Sequence, residues 1–216
     1  MFLTTGHSST VSGPGGVELL AAGVLDGAPG AGERHLVLIG GCSQSGKSWL
    51  AERLAERIRA AGPTCLVVGL DAWVVSLENR KLGSTVLERY ECPAIVAAVR
   101  RLLSGWPVHP PVYDPASRRR VRERADEALV IDSGILVGEG VIALTLPELR
   151  RWSQVRVFVA VPDEVRHARL RRLYREVKGL DERATDEIID AREAEEVAMI
   201  ARTRAFADVV YWGVPE

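Results

Sequence analysis

Residues Leu36 to Leu50 read L-V-L-I-G-G-C-S-Q-S-G-K-S-W-L. Leu36, Val37, Leu38 and Ile39 form a short apolar run of strand composition. Gly41-x-x-x-x-Gly46-Lys47-Ser48 follows at once, and helical periodicity begins directly after it. That order of strand, glycine-bearing loop and helix is the context that gives this spacing its meaning as a phosphate-binding P-loop. Glycine at 41 and 46 lets the chain turn tightly, so that the amides of Gly41, Cys42, Ser43, Gln44, Ser45 and Gly46 can point inward around an anion. The helix opening near Lys47 adds its positive dipole end. Lys47 would reach the outer phosphates, and the Ser48 hydroxyl suits a magnesium ion.

The rest of the composition sets limits. At 216 residues the chain fits one domain with a sizeable core, and 47% hydrophobic with 26% charged residues is ordinary for a globular protein. A formal net charge of −1 speaks against a general binder of nucleic acid or of membrane surfaces. No apolar run approaches the ~18–20 residues of a membrane span. Cys42, Cys65 and Cys92 are scattered and odd in number, which points to a reducing compartment, the cytoplasm.

Residues 1–34 are rich in Gly, Ser and Thr and read as a flexible N-terminal extension, with Val17–Leu25 as an apolar patch able to pack at a domain edge. The domain proper is expected over 35–216. Leu50, Leu54, Ile58 and Ala61 recur at helical spacing, and Gly62-Pro63 stops the helix. Thr64–Leu70 reads as a buried strand ending on Asp71. Ala72–Cys92 lacks periodicity, Pro93 opens a helix that stops at Gly105, and Trp106–Pro115 carries too many prolines for regular structure. Arg118–Arg124 reads as a solvated charge run. Ala128–Asp132 and Ile135–Glu139 read as two strands around a turn, Val155–Val161 as another strand and Ala207–Trp212 as the last. Between those last two lie a basic helix bearing Arg166, Arg169, Arg171, Arg172 and Arg175 and a charged helix over Asp186–Phe206. Alternating strands and helices predict an α/β fold with a parallel sheet and helices on both faces; with the phosphate loop, the expectation is a P-loop NTPase fold, with a mostly parallel five-stranded sheet and a helical lid.

Phosphoryl transfer needs a phosphate cradle, a metal, a group that takes or orients the attacking proton, and cations for the transferring group. Asp71 and Glu139 both end apolar strands, the edge at which open α/β sheets bind ligands. Asp71 is the candidate base for a substrate hydroxyl, with a turn or helix-cap role as its plainer reading. Glu139 is the candidate for magnesium. The arginine helix is either a solvated face or a lid that closes over phosphates.

These residues carry a resemblance to the uridine kinase and phosphoribulokinase family of P-loop small-molecule kinases. The matching pieces run in order as G-C-S-Q-S-G-K-S, L-D-A-W (Leu70–Trp73), R-Y-E-C-P-A (Arg89–Ala94) and L-L-S-G-W-P-V-H-P-P-V-Y-D (Leu102–Asp114). They continue as E-G-V-I-A-L (Glu139–Leu144), R-R-L-Y-R-E (Arg171–Glu176) and A-D-V-V (Ala207–Val210). The resemblance implies an ATP-dependent phosphotransferase with magnesium, acting on the hydroxyl of a small-molecule acceptor. It implies Asp71 as general base and Ser48 and Glu139 around the metal. Lys47, Arg172, Arg175 and Lys178 become the cations near the phosphates, and Trp73, Tyr90 and Tyr113 would line the acceptor pocket.

The departures bear on the substrate. Uridine kinases carry a histidine five residues past the pocket tyrosine, and in ungapped register Arg118 stands there. Arg120 falls where the family has an arginine. Val74 and Val75 follow Trp73 in place of aromatic residues, and Leu180 replaces a cation in a shortened lid. An arginine at 118 suits an acceptor bearing carboxylate or phosphate, because its planar fork binds such groups with two parallel hydrogen bonds. Three readings stay open: a uridine or cytidine kinase, a kinase for an anionic metabolite, and a nucleotide-binding regulator without an acceptor. Self-association is left open as well.

Overall fold

The computed structural model describes residues 8–213. Its centre is a sheet of six parallel strands in the order β1 (Ser9–Ser12), β8 (Val209–Trp212), β7 (Ser153–Ala160), β2 (Arg34–Gly40), β6 (Gly134–Glu139) and β3 (Cys65–Gly69). Strand β2 (Arg34–Gly40) lies in the middle, and its alternation decides the two layers. Leu36 and Leu38 face one side, Val37 and Ile39 the other, and all four are buried, as a strand covered on both faces requires. Helix α1 (Gly13–Asp26) and α2 (Lys47–Ala60) cover the Val37 side, packing Val17, Leu20, Leu50, Leu54 and Ile58 on it. Helix α3 (Cys92–Leu103) and α4 (Pro147–Trp152) cover the Leu36 side through Ile95, Val99, Leu102 and Leu149.

Three strands carry the site. Strand β3 (Cys65–Gly69) leads into a turn of 3-10 helix over Leu70–Trp73. Strand β6 (Gly134–Glu139) sits between β2 and β3, with Glu139 opposite Ile39 on one side and Gly69 on the other. That register sets Glu139 between the start of the phosphate loop and the turn that holds Asp71. Strand β7 (Ser153–Ala160) flanks β2 on its other edge, followed by α5 (Asp163–Arg172), α6 (Glu182–Arg192), α7 (Ala198–Arg202) and β8 (Val209–Trp212). Helices α5 and α6 meet in a small core of their own, Leu170, Tyr174 and Ile189, apart from the two layers of the sheet.

The sixth strand comes from residues read as a flexible extension. Ser9–Ser12 form β1, parallel to β8 with Val11 opposite Tyr211, and α1 then packs beside α2. Val17, Leu20, Ala21 and Val24 bury a face at helical spacing, so the apolar patch is stronger evidence than the small polar residues around it. Two other segments differ from expectation. Ala128–Asp132 forms no strand; Leu129 makes an isolated bridge with Val108. Val112–Asp114 (β4) and Arg119–Arg122 (β5) form an antiparallel hairpin despite the prolines and the charges. Asp114 makes the turn possible by accepting from the Ala116 and Ser117 amides at 3.0 Å, and Arg118 takes a left-handed conformation with φ 58°. No helix of the described residues is long and apolar enough to cross a membrane.

Candidate active site

The phosphate loop has the conformation its spacing demands. Gly41 lies at φ 146° and Gly46 at φ 98°, and a Cβ on Gly41 would come within 2.4 Å of the Val159 carbonyl. Gln44, at φ 63°, completes the tight winding. Lys47 is buried, with its ammonium donating to the Cys42 carbonyl at 2.9 Å across the loop. The Ser45 hydroxyl is buried and has no hydrogen-bond partner among the described residues. An anion seated on the loop would supply what such a group lacks.

Both strand-end carboxylates come to this loop. The Ser48 hydroxyl donates to Glu139 Oε1 at 3.1 Å. Burial first, and the neighbouring Asp71 carboxylate second, push the Glu139 carboxyl above the usual carboxylate range. Asp71 follows β3 and accepts a hydrogen bond from the Tyr90 hydroxyl at 3.0 Å. Gly140 makes room for it: a Cβ there would lie 3.2 Å from Asp71 Oδ1 and 3.1 Å from the Leu70 side chain.

Two cavities open on these groups. One, of about 520 Å³, runs along the phosphate loop and is walled by Trp49, Tyr211 and Arg169. The other, of about 700 Å³, extends over the β4–β5 hairpin and is lined by Tyr90, Tyr113, Arg80, Arg89, Arg118 and Lys178. Asp71 and Ser48 belong to both.

Some of the expected residues line these cavities and others do not. Tyr90 and Tyr113 line the second cavity, Tyr113 accepting from Arg80 at 3.1 Å. Lys178 lines it too, its ammonium 4.9 Å from the centre of the Tyr174 ring. Trp73 is only 4% exposed and packs in the core with Val86 and Ile95 rather than facing the cavity. Arg120 lies outside the cavity as well: its guanidinium is held by Glu91 at 2.8 Å and Glu123 at 3.2 Å. Arg172 and Arg175 turn to solvent. Leu170 and Tyr174 bury one face of the helix, so the Arg172 side chain is 78% exposed and pairs with Glu176, and Arg175 is exposed beside it. The arginine that reaches the loop is Arg169, which donates to the Gln44 carbonyl at 3.4 Å. Its signal was helix register: Arg166 and Arg169 share the face of Leu170 and Leu173, whereas 171, 172 and 175 do not.

A second buried network backs the loop. Arg166, 3% exposed, pairs with Glu193, which also takes a contact from His167 at 3.0 Å. Three residues on, buried Glu196 accepts from the Ser43 amide at 3.0 Å and lines the second cavity. The segment before α7 is thereby tied to the phosphate loop. Nothing local in the acidic run around Glu193 announces this, because the contact spans most of the domain.

Comparison with known proteins agrees with this architecture. A uridine kinase of Lactobacillus helveticus is 26% identical over 191 residues, covering 84% of this chain and 86% of its own length. A uridine kinase of Leuconostoc citreum is 26% identical over 153 residues, covering 68% and 70%. Among solved structures, a candidate fructose transport system kinase from a Silicibacter species superposes with TM-score 0.71 at 24% identity, covering 90% of this chain and 98% of its own. A D-glycerate 3-kinase of Cryptococcus neoformans superposes with TM-score 0.62 at 12% identity, covering 87% and 88%. The model of the phosphoribulokinase/uridine kinase family matches residues 36–216, from the strand before the phosphate loop to the C-terminus, and the chain belongs to that family of P-loop kinases.

Proposed function

We propose that the protein is a magnesium-dependent kinase that moves the γ-phosphoryl group of ATP to a hydroxyl of a small cytoplasmic metabolite bearing a carboxylate or phosphate. The observation that carries this reading is that Asp71 lines both cavities. An acceptor in the second cavity and a triphosphate on the loop would meet at that carboxylate. Asp71 then takes the hydroxyl proton as the new P–O bond forms and the bond from the γ-phosphorus to the β–γ bridging oxygen breaks, that oxygen leaving with ADP, and Tyr90 holds the carboxylate by its hydrogen bond. Lys47 and Arg169 offset charge on the transferring group.

The donors around Ser48 fit magnesium. Hydroxyl and carboxylate oxygens are hard ligands, and magnesium in kinases is usually held by one or two protein carboxylates with substrate phosphates and water. Ser48 and Glu139 would hold it, and once bound it neutralises charge on the phosphate oxygens.

The acceptor class rests on the cationic lining. Arg80, Arg89, Arg118 and Lys178 face the second cavity together with the carboxylates of Asp71 and Glu196. In ungapped register with the family pattern Arg118 falls where a uridine kinase carries the histidine that reads the pyrimidine, which supports an anionic acceptor over a nucleoside. ADP release with magnesium and ATP, across a panel of nucleosides, sugar phosphates and hydroxy acids, tests the reading. Acceleration by an anionic acceptor is the expected result. Acceleration by uridine or cytidine would return the protein to nucleoside salvage, and silence with ATP binding intact would leave a nucleotide-binding regulator.

A further inference from the structure

The first cavity does not end at the phosphate loop. Beyond it the wall is Trp49, Tyr211, Gly213 and Pro14, the last of these from the β1–α1 unit. Trp49 follows Ser48 in the first turn of α2 and is 46% exposed, a large apolar ring left open inside a cavity. Its ring centre lies 6.5 Å from that of Tyr211, with the planes tilted by 41°. Tyr211 is fixed. It is buried on β8, its hydroxyl donates to the Gly13 carbonyl at 3.1 Å, and Gly16 packs so closely that a Cβ there would meet Tyr211 Cε2 at 3.2 Å. The register of β1 on β8 brings this about, since Ser12 stands opposite Trp212 and the chain turns at Gly13, with φ 61°, at the same sheet edge as the phosphate loop.

A triphosphate seated on the phosphate loop would leave the rest of its nucleotide to this wall. We propose that Trp49 stacks on the nucleobase, and that the β1–α1 unit belongs to the nucleotide site because it locks Tyr211 behind that tryptophan. Stacking needs only a π-face, so the indole contributes affinity for any heteroaromatic base. This rests on the kinase reading above, and deepens it at the nucleotide end.

Calorimetric titration of the full chain with magnesium, using ATP and base-free inorganic tripolyphosphate, separates the base from the phosphates. Trp49→Ala should weaken ATP at least about fivefold while leaving tripolyphosphate within about twofold, and Trp49→Phe should recover most of the ATP affinity. Unchanged ATP affinity in Trp49→Ala, or an equal loss for both ligands, would overturn the stacking role. So would a wild-type protein that binds tripolyphosphate as tightly as ATP, and that result would leave the phosphate loop intact. A wild-type protein that binds neither would overturn the kinase reading and this inference together.

Discussion

The cavity proposed for the nucleotide and the cavity proposed for the acceptor share Ser43, Gln44, Ser48, Asp71 and Val141, and beyond that floor they are built in opposite ways. The first is lined by one continuous stretch, residues 43–49, wound by Gly41 and Gly46 into a tight loop at the start of a helix. The second gathers Asp71, Arg80, Arg89, Tyr113, Arg118 and Lys178 from separate loops, a hairpin and the turn after α5. Backbone geometry of this kind cannot be altered by one side chain without breaking the loop, whereas the acceptor lining can change residue by residue on the same sheet. On the proposed function, the chemistry of transfer would sit in the rigid half and the choice of substrate in the assembled half.

The sharpest way to break that division is Arg118→Ala. A charged hydrogen bond to an anionic acceptor should be lost, raising the acceptor KM about 10- to 100-fold and leaving the KM for ATP within about twofold. Equal effects on both substrates, read from steady-state kinetics, would show that the two cavities do not divide the labour.

Arg169 and Arg172 sharpen the comparison within one helix. Arg169 touches the loop, so Arg169→Ala should lower kcat/KM for ATP about tenfold. Arg172 forms an exposed pair with Glu176, of a kind commonly worth ~0–1 kcal/mol, and Arg172→Ala should leave kinetics within about twofold. The reverse order would mean that α5 turns its outer face to the phosphates during turnover.

The same contrast explains what the chain discloses before it folds. Gly41 to Ser48 are legible because neighbours in sequence are neighbours in space, and Asp71 and Glu139 because each ends an apolar run that a parallel sheet brings to one edge. Trp73 and Arg120 lie away from the cavity lining for the converse reason. The indole packs under α3 and the guanidinium finds Glu91, and neither partner is marked by local spacing. Residues 9–26 were masked by their glycines and serines, although Val17, Leu20 and Val24 already showed a helical face. The hairpin at 112–122 depends on an Asp114 turn inside a stretch that composition assigns to coil and solvent.

Glu139 offers a smaller effect, read as stability. Burial and Asp71 raise its pKa in the fold, so the folded protein holds that proton more tightly than the unfolded chain. The ionised carboxylate thus costs stability above its folded pKa, and the cost fades as pH falls through that value toward the unfolded one. Metal-free Glu139→Gln should melt above the wild type at about pH 8, with the gap closing toward about pH 5. A variant that melts lower at every pH would mean that the Ser48–Glu139 hydrogen bond outweighs the burial penalty.

The measurement closest to the central claim is single-turnover phosphoryl transfer by Asp71→Asn beside the wild type, with ATP affinity determined on the same samples. A carboxylate that serves both cavities as general base predicts a fall in the transfer rate of about 10²- to 10⁴-fold with ATP affinity within about twofold. Transfer at near wild-type rate would contradict it, and the proton would have to leave by another group.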